Sequence, residues 1–524
     1  MKSLLRWRVF LPPMILLIAA VMASFIDLAG FLTVTTAINN WILNHFSWLF
    51  SSGGLLMVVT LLLALFTPLG RKRIGGEQAT PMLTKWRWGA ITICTTTAAG
   101  MLFWGTAEPL YHLYQPPVSL GMAAQSAPAA EFALSTMYLH WSVTPFAIYA
   151  VPALAFALAF YRKGGEFSLS SAIAPVLGNR MANRVGGGID ALAMFALVAG
   201  MASSLGTGAL VLSSGVSKIT GLDDNIFLLG VVIAVIMICF VASSVSGLQR
   251  GIARLSTINA IFFVTIAVMA LVFGPTLTII ERSVDALGDY LATFVTRSLG
   301  VGFADTDNWP MSWTVFYWAN WLSWAPIVAL FLGKIAKGYT VRDFIIVNWC
   351  IPALFSILWM SIFSGTILTL DFEHNGAFYQ LLNSSGPGAV IYGLLDQLPL
   401  SALLIMVFVA VAFLAYVTAA DSNTEAIATL CMTKDVTEKK TINLQTYSVQ
   451  LQSAAVKRRL KILWGVIIAT IAWVMTAFSG IDGIKMMSNL GGFPALLVVL
   501  LMNFALLRAI FTSLKVRKEQ VPAM

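Results

Sequence analysis

Charged residues are scarce in this chain of 524 residues: Asp, Glu, Lys and Arg together make up 10% of it, whereas 58% is hydrophobic. In a typical soluble domain about a quarter of the residues are charged. The mean hydropathy of +0.84 and the long apolar runs therefore predict an all-α polytopic membrane protein. We expect no nucleic-acid partner, because the net charge of +9 is scattered across loops and is not concentrated on one domain.

Cysteine and histidine are also rare, with four residues of each type. The cysteines lie in or beside apolar segments without paired spacing, which predicts small core residues and no disulfide framework: Cys94, Cys239, Cys350 and Cys431. The histidines form no ligand cluster either: His45, His112, His140 and His374. We therefore expect no metal site and no cofactor. A membrane enzyme would need a catalytic constellation of some kind, so no enzymatic activity is expected.

Apolar segments of about 20 residues recur along the whole chain, and each is long enough to cross a bilayer as a helix. They predict a multi-pass protein in contact with membrane lipid. We count about twelve, at residues 9–30, 42–67, 88–113, 132–161, 188–216, 225–246, 252–280, 312–333, 343–370, 400–430, 462–480 and 486–512.

Basic residues fall mainly in alternate loops. The clusters Arg71-Lys72-Arg73 after the second span and Lys457-Arg458-Arg459 after the tenth contrast with the loops at 31–41 and 112–131, which contain no Lys or Arg. Cytoplasmic loops carry an excess of Lys and Arg. The even-numbered loops and both termini are therefore expected to be cytoplasmic.

The third and eighth spans share two features. Each begins after a basic loop and each is predicted to be interrupted, the third by the small-residue run Thr95-Thr96-Thr97-Ala98-Ala99-Gly100 and the eighth by Pro326. Because they lie five spans apart, two five-helix units that begin there are inverted relative to each other, a common plan of secondary transporters. Small residues also mark close helix packing, which is the commoner explanation for any one of them.

The expected organisation follows from these spans. The loop at 281–311 mixes charged and apolar residues, which predicts an amphipathic helix on the outer surface. We divide the chain into an N-terminal pair of transmembrane helices (1–86), a first five-helix repeat (87–280), an extracytoplasmic amphipathic connection (281–311), a second five-helix repeat (312–512) and a short cytoplasmic tail (513–524).

The segment Ser312–Pro326 contains four tryptophans and two other aromatic residues. Within it Tyr317, Trp321 and Trp324 are spaced i, i+4, i+7, so on a helix they share one face. A wall of aromatic faces inside a membrane protein suits a methylated ammonium ion, because the ring quadrupoles attract its charge. The same spacing also fits a buried packing stripe.

This segment also carries a family resemblance. Its stretch from Trp313 to Trp321 resembles the signature of the betaine/choline/carnitine transporter (BCCT) family. Five further motifs, in the family's order, extend the resemblance over nearly the whole chain: Phe103-Trp104-Gly105-Thr106-Ala107-Glu108-Pro109, His140-Trp141, Ser204-Leu205-Gly206, Gly247-Leu248-Gln249-Arg250-Gly251 and Thr418-Ala419-Ala420-Asp421-Ser422. The resemblance implies a LeuT-like fold of two inverted five-helix repeats, preceded by two extra helices, and usually a homotrimer.

The resemblance further implies a central aromatic box for a trimethylammonium substrate. Carried over by position, the box consists of four residues: Tyr111, Trp141, Trp321 and Trp324. Additional aromatic lining is common in the family at three positions: Phe103, Phe146 and Tyr149. Core packing is the alternative explanation for the first and last of these three.

One position departs from the family signature, because Asn320 occupies the place of the first residue of a tryptophan pair. If its side chain faces the site, it removes an aromatic wall and supplies an amide, which suits a carboxylate, a hydroxyl or an incompletely methylated amine. If it faces a neighbouring helix, it forms an interhelical hydrogen bond. Both alternatives remain open from the sequence.

The coupling ion is predicted from the same comparison. Sodium-coupled members resemble one another in a third helix rich in glycine and methionine and in hydroxyl ligands from the fifth and tenth helices. Here the third helix resembles the carnitine/γ-butyrobetaine exchanger branch, and Leu197, Met201 and Ala419 replace hydroxyl residues. Both sodium sites are therefore expected to be degraded, although Thr97 and Thr418 still offer oxygens for one weak site.

Other coupling devices are predicted only in part. The exchanger branch fills one vacated site with an arginine, but Asn259 stands at that position. Proton coupling would need an acid inside the membrane. The candidates are Asp421 and Glu425, one helical turn apart, with Glu108 as a third. Helix capping or ion pairing is the alternative role for Asp421 and Glu108.

Taken together, the sequence predicts a secondary active transporter of trimethylammonium compounds of the betaine, carnitine or choline type. It is expected to work by alternating access in a bacterial cytoplasmic membrane, independently of sodium. The alternative is a transporter of a different small amine or an amino acid, coupled to protons or to residual sodium.

Overall fold

The computed structural model describes residues 4–96, 100–162, 168–246, 249–433 and 444–520. The regular structure in these ranges is helical, and the only backbone bridges of the strand type are two isolated pairs, Leu5 with Met432 and Arg73 with Thr340. The predicted all-α class is therefore confirmed.

The described ranges contain eighteen α-helices, numbered in chain order. Their bounds are α1 (Trp7–Ile26), α2 (Leu28–Phe66), α3 (Lys85–Thr96), α4 (Gly100–Tyr114), α5 (Ala127–Trp141), α6 (Val143–Arg162), α7 (Leu169–Leu177), α8 (Asn179–Thr220), α9 (Ile226–Ser246), α10 (Gln249–Phe273), α11 (Thr276–Leu299), α12 (Phe316–Ile335), α13 (Val341–Ile345), α14 (Ile351–Glu373), α15 (Ala377–Ser385), α16 (Val390–Asp396), α17 (Ser401–Leu430) and α18 (Leu444–Gln520). Short π-helical turns, Met311–Val315 and Ile346–Cys350, precede α12 and α14.

Nine helices of the described chain are long and apolar enough to cross a membrane, and the pair α10–α11, bent by 104°, makes a possible tenth. Two differences explain why about twelve spans were predicted. The third predicted span includes residues 97–99, which lie outside the described ranges between α3 and α4. A single helix, α18, covers the last two predicted spans, with a break at Gly480 where φ is +54° and ψ is −132°. A multi-pass helical architecture follows.

The predicted interruption at Pro326 is wrong, because α12 continues through this residue. A proline removes one backbone hydrogen bond, and packing against neighbouring helices makes this tolerable in a membrane helix. The fourth predicted span, in contrast, is broken at Ser142 between α5 and α6. A continuous helix would press the ring of Pro145 against the carbonyl of Trp141, whereas the break puts Pro145 in the first turn of α6.

The helix α12 lies at the centre of the protein and packs most extensively against α6 and α18, and α18 also packs along α8. Two consecutive glycines permit this close approach. A β-carbon at Gly492 would lie 2.7 Å from the carbonyl carbon of Ala319 on α12, and one at Gly491 would lie 2.7 Å from Cβ of Ala199 on α8. Small residues at helix crossings allow backbones to meet in membrane proteins.

The contacts between loops agree with the prediction that successive loops lie on alternate sides of the membrane. The second and eighth loops meet where the Ile74 amide donates to the Tyr339 carbonyl at 2.8 Å, and the amide of Arg6 near the N-terminus donates to Cys431 in the tenth loop at 2.8 Å. On the other side, the Ser119 hydroxyl donates to Asp307 at 2.6 Å, which joins the third and seventh loops. Loops of the same parity therefore contact one another in these three cases.

Two further expectations have different outcomes. The predicted amphipathic connection at 281–311 contains most of helix α11, while the domain boundaries themselves stay a prediction. The expectation that the cysteines are core residues holds for Cys431, which is buried, but is wrong for Cys350, which is exposed at the end of a π-helical turn. The side chain of Cys94 lies outside the described part of the structure.

Replacing Gly492 by alanine should destabilise the protein, because the new β-carbon would overlap backbone atoms of Ala319 that cannot move independently of α12. Overpacking of this kind typically costs about 1–3 kcal/mol. We expect the thermal unfolding midpoint of the purified protein in detergent to fall by several degrees.

The matched control is Gly288→Ala on α11, where nothing lies within 4 Å of the added β-carbon. This change should leave the unfolding midpoint unchanged or raise it slightly, because alanine reduces the conformational freedom of the unfolded chain. Equal unfolding midpoints for the two variants would contradict the proposed close approach of α18 to α12.

Candidate functional site

Four aromatic side chains converge at the middle of α12. The ring of Trp321 lies 5.6 Å from that of Trp141, 5.4 Å from that of Phe146 and 5.0 Å from that of Tyr149, measured between centroids. All three contacts are edge-to-face, which is the arrangement favoured by ring quadrupoles. Trp321 is only 3% exposed. We call these four residues the inner aromatic cluster.

The break between α5 and α6 builds this cluster. It places Trp141 at the end of α5, with Phe146 and Tyr149 in the first two turns of α6. A helix end leaves carbonyl groups without partners inside the helix. One of them, the carbonyl of His140, accepts a hydrogen bond from the Trp321 indole at 3.1 Å. The break therefore supplies both the rings and a polar anchor for Trp321.

A buried carboxylate holds the polar ends of the neighbouring rings. Glu108 on α4 is fully buried, and its Oε1 lies 3.0 Å from Nε2 of His112 and 2.7 Å from Nδ1 of His140. Its Oε2 accepts hydrogen bonds from the Trp141 indole at 3.0 Å and from the Tyr317 hydroxyl. Charge-assisted hydrogen bonds of this kind are stronger than neutral ones. Helices α4, α5 and α12 are thus joined at one side chain.

The position of two histidines corrects an expectation from the sequence. No ligand cluster was expected, yet the ligand atoms of Glu108, His112 and His140 lie within 4.8 Å of one another. Both imidazoles are already within hydrogen-bond distance of the same carboxylate oxygen, so these contacts join the three side chains in one hydrogen-bond network. Nε2 of His140 lies 3.1 Å from the Thr314 hydroxyl, which extends the chain of polar groups onto the turn before α12.

Tyr111 lies apart from the inner aromatic cluster. Its ring is 5.4 Å from that of Trp313, and both line a cavity of about 810 Å³. The cavity is built by the third, seventh and eleventh loops and the adjoining helix ends. Its wall includes Asp307, Asp482 and Lys485. We call this space the outer cavity, because the charge pattern predicts that these loops lie on the outer side of the membrane.

The remaining aromatic candidates also lie outside the inner aromatic cluster. Phe103 is buried on α4, and its nearest ring is that of Trp104 at 4.9 Å. Trp324 is half-buried on α12 and faces α8, where a β-carbon at Gly200 would lie 3.2 Å from its indole nitrogen. Tyr317, in contrast, contacts Trp141 at 5.3 Å and belongs beside the cluster.

Asn320 makes an interhelical hydrogen bond. Its Oδ1 accepts from the Ser488 hydroxyl of α18 at 3.2 Å, and Ser488 in turn lies 2.9 Å from the hydroxyl of Ser203 on α8. The second of the two alternatives left open by the sequence, a contact with a neighbouring helix, is therefore the one that the described contacts favour.

The coupling candidates lie in different environments. Thr97 lies outside the described residues, and the Thr418 hydroxyl donates to the Ala415 carbonyl at 2.9 Å. Asn259 is buried, and its Oδ1 has no hydrogen-bond partner among the described residues.

The two acids of α17 are paired with lysines of α18. Asp421 lies 2.6 Å from Lys461, and Glu425 forms ion pairs with Lys457 and, at 3.4 Å, with Lys461. These contacts agree with the pairing role considered for Asp421. Sequence reasoning missed two residues of the outer cavity, Trp313 and Lys485. A lysine beside an apolar span was the available signal for the second, because charges near membrane segments are commonly functional.

The sequence is similar to those of known transporters. The sequence matches the profile described as "BCCT, betaine/carnitine/choline family transporter" over residues 8–515. It is 29% identical to the glycine betaine transporter OpuD of Bacillus subtilis, over 96% of this chain and 93% of the relative. It is 27% identical to the ectoine/hydroxyectoine transporter of Virgibacillus pantothenticus, over 87% of each chain.

Among solved structures, the chain is similar to a Na⁺-coupled sialic acid symporter in a substrate-bound, outward-open state. The match has a TM-score of 0.47 and 14% identity, over 89% of this chain and 86% of that one. The profile match extends over nearly the whole sequence and includes every motif discussed above. The protein therefore belongs to the betaine/carnitine/choline (BCCT) family of transporters.

Proposed function

We propose that this protein is a secondary active transporter of small trimethylammonium compounds, and that the inner aromatic cluster holds their positive charge. The observation that carries the proposal is the convergence of Trp141, Phe146 and Tyr149 on Trp321 at 5.0–5.6 Å. Family membership supports the substrate class, as does the glycine betaine specificity in the name of the Bacillus relative.

The physical argument is the desolvation of a soft cation. A trimethylammonium group has no N–H to hydrogen-bond, so it loses little when water is replaced by ring faces, which attract its charge. The rings of the cluster contact one another edge to face, so a bound ammonium group must separate them. A site that opens and closes around the substrate is what alternating access requires.

The environment of Asn320 favours trimethylammonium compounds over amines that carry N–H groups. Its amide oxygen is engaged by Ser488, which leaves the cluster with aromatic walls. The alternative substrate class, a different small amine or amino acid, keeps one supporting observation. A relative of similar identity is named for ectoine and hydroxyectoine.

We further propose that transport is independent of sodium. A sodium site needs several oxygen ligands, commonly including carbonyl groups of an unwound helix. Leu197 and Met201 are buried and offer none, and Ala419 lacks the hydroxyl expected in that position. Of the two remaining candidates, Thr97 lies outside the described residues, and the Thr418 hydroxyl is directed to its own helix, which is a weak basis for a site.

Proton coupling is the second candidate, and the buried carboxylate favours it. Glu108 faces His112 on its own helix, His140 of α5 and Tyr317 of α12, and Lys485 of α18 is the charged group on the fourth neighbouring element. A carboxylate between two imidazoles can hold a proton in more than one position. Asp421 and Glu425 are weaker candidates because lysines neutralise them.

The orientation in the membrane, the internal repeats and the oligomeric state are proposed from the loops and from the family. We propose that the even-numbered loops and both termini are cytoplasmic in a bacterial cytoplasmic membrane, which the contacts between loops of equal parity support. Inverted five-helix repeats and a homotrimer in contact with membrane lipid are proposed from the family resemblance.

Replacing Trp321 by leucine should weaken the binding of glycine betaine by about 30-fold. A desolvated cation–π contact contributes about 2 kcal/mol, and each 1.4 kcal/mol corresponds to a factor of about ten in the dissociation constant. The measurement is isothermal titration of the purified protein with glycine betaine, carnitine and choline.

The matched control for this variant is Trp86→Leu, which removes an indole that is 86% exposed and far from the cluster in sequence. Its dissociation constants should equal those of the wild type. If the wild type binds none of the three quaternary amines, the proposed substrate class is wrong. If Trp321→Leu binds them normally, the inner aromatic cluster is not their site.

Uptake of radiolabelled glycine betaine into proteoliposomes should proceed at the same initial rate, within about twofold, in sodium and in potassium buffers, since the expected sodium ligands are replaced by apolar residues. The comparison is made at equal ionic strength and equal membrane potential. A strict requirement for sodium would contradict the proposed mechanism and would point to Thr97 and Thr418 as ligands.

If protons are transported together with the substrate, an alkaline interior should accelerate uptake into wild-type proteoliposomes. The variant Glu108→Gln should not respond to the pH gradient, because an amide cannot take up the proton. The control is Asp305→Asn, which neutralises an exposed carboxylate of the seventh loop. A wild type that ignores the gradient would exclude proton coupling and leave substrate exchange.

A further inference from the structure

The break at Ser142 between α5 and α6 is held by side chains from outside these two helices. The Ser142 hydroxyl lies 3.1 Å from the hydroxyl of Tyr290 on α11. The carbonyl of the next residue, Val143, accepts a hydrogen bond at 2.8 Å from the indole of Trp349, which belongs to the π-helical turn before α14. Both residues at the break are therefore tied to elements far away in the sequence.

The backbone alone does not fix the angle between α5 and α6. Ser142 has a φ of −120° and a ψ of −104°, which lie outside the helical region. Pro145 has no N–H group, so the hydrogen bond that a continuous helix would form to the Trp141 carbonyl is missing. Neighbouring helices commonly stabilise such breaks in membrane proteins. Contacts from outside therefore set the direction in which α6 leaves the break.

Helix α11 is itself fixed to α5, so Tyr290 is a firm point of attachment. Arg297 follows Tyr290 by two helical turns and lies on the same face of α11. It is buried, and its Nη1 donates to the Ser135 hydroxyl at 2.7 Å, while its guanidinium carbon lies 4.3 Å from the centroid of the Phe132 ring. Tyr290 and Arg297 therefore hold α5 at two levels from the side of α11.

The π-helical turn that carries Trp349 is anchored as well. Its residue Asn348 is buried, donates to the Phe344 carbonyl at 2.9 Å and accepts from the Thr92 hydroxyl of α3 at 3.0 Å. Single π-helical turns occur frequently at functional sites. The Trp349 indole therefore reaches Val143 from a fixed base.

The angle at the break determines the shape of the inner aromatic cluster. Trp141 belongs to the end of α5, whereas Phe146 and Tyr149 belong to the start of α6, and all three rings meet that of Trp321. A change of the angle would move Trp141 relative to the other two rings. Because the attraction between a cation and a ring acts within about 6 Å of the centroid, such a movement would weaken the hold on a trimethylammonium group.

We propose that Tyr290 and Trp349 are positioning residues of the substrate site. They hold the break at the angle that assembles the inner aromatic cluster, although neither makes a ring contact with the cluster in the described part of the chain. The inference rests on the proposed function of the cluster, and it adds two residues that act on the substrate only through the cluster.

The test removes each hydrogen bond with the smallest available change. Tyr290→Phe deletes only a hydroxyl, and Trp349→Phe deletes the indole N–H while an aromatic ring remains. We expect each variant to bind glycine betaine about three- to tenfold more weakly than the wild type in isothermal titration, as the loss of one buried hydrogen bond predicts. The thermal unfolding midpoints should stay close to that of the wild type.

Dimethylglycine provides a measurement that a general weakening of the protein would not change. It has one methyl group fewer than glycine betaine, so a cluster with altered ring spacing should distinguish the two compounds less well. We expect the wild type to prefer glycine betaine, and the ratio of the two dissociation constants to fall several-fold in Tyr290→Phe and Trp349→Phe. An unchanged ratio in both variants would overturn the proposal.

Two matched controls remove the same chemical groups away from the break. Trp359→Phe, on α14, deletes an indole N–H that has no acceptor among the described residues. Tyr161→Phe, at the other end of α6, deletes a hydroxyl that donates to the Lys334 carbonyl. Both controls should bind glycine betaine like the wild type. Equal losses of affinity in the controls and in the test variants would contradict a specific role of the break.

A double-mutant cycle shows whether Tyr290 acts through Ser142. Ser142→Ala removes the partner of the Tyr290 hydroxyl. The double variant should bind glycine betaine little more weakly than the weaker of the two single variants, because the contact between the hydroxyls can be lost only once. Losses of affinity that multiply would overturn the role of this contact.

The outcomes also separate this inference from the proposed function. If Trp321→Leu weakens binding but Tyr290→Phe and Trp349→Phe bind like the wild type, the positioning role is wrong and the inner aromatic cluster remains the site. If the wild type binds no quaternary amine, the proposed function is refuted, and this inference with it.

Discussion

The hydrogen bonds to the Glu108 carboxylate are the interaction on which the centre of this protein depends. A charged or unpaired carboxylate in an apolar interior costs several kcal/mol, so Glu108 can be buried only where donors surround it. His112, His140, Trp141 and Tyr317 supply them from three helices. Each donor is also a ring, so the requirement of one carboxylate sets the orientation of four aromatic planes.

The orientation of Trp141 links this network to the inner aromatic cluster. Its indole nitrogen is held by Glu108, while its ring lies against Trp321, whose own nitrogen is held by the His140 carbonyl. Polar anchors at the edges leave the ring surfaces for contact with a ligand. Movement of α12 relative to α5 and α6 would therefore change the ring contacts of the cluster. Gly491 and Gly492 bring α18 against α8 and α12, so such a movement also involves α18.

The sequence predicted the helical class, the approximate spans and the aromatic segment, because these follow from local composition and spacing. Even the unpredicted break at Ser142 had a local signal in Pro145. The meeting of Glu108 with His140, or of Tyr111 with Trp313, depends on how helices far apart in sequence pack, and no local pattern encodes it. The same limit explains Asn320, whose residue type was evident but whose direction depended on Ser488 of α18.

The outer cavity and the inner aromatic cluster both border the segment that runs from the π-helical turn into α12. Tyr111 follows Glu108 by about one helical turn of 3.6 residues, and Trp313 and Trp321 belong to the same π-helical and α-helical segment. A substrate that reached the inner aromatic cluster from the outer cavity would therefore pass the Glu108 network. Its positive charge is drawn to a carboxylate whose oxygens are already occupied by donors, so passage and rearrangement of those hydrogen bonds become one event. Any change in the hydrogen bonds between Glu108, His112 and His140 would then act on passage between the outer cavity and the inner aromatic cluster.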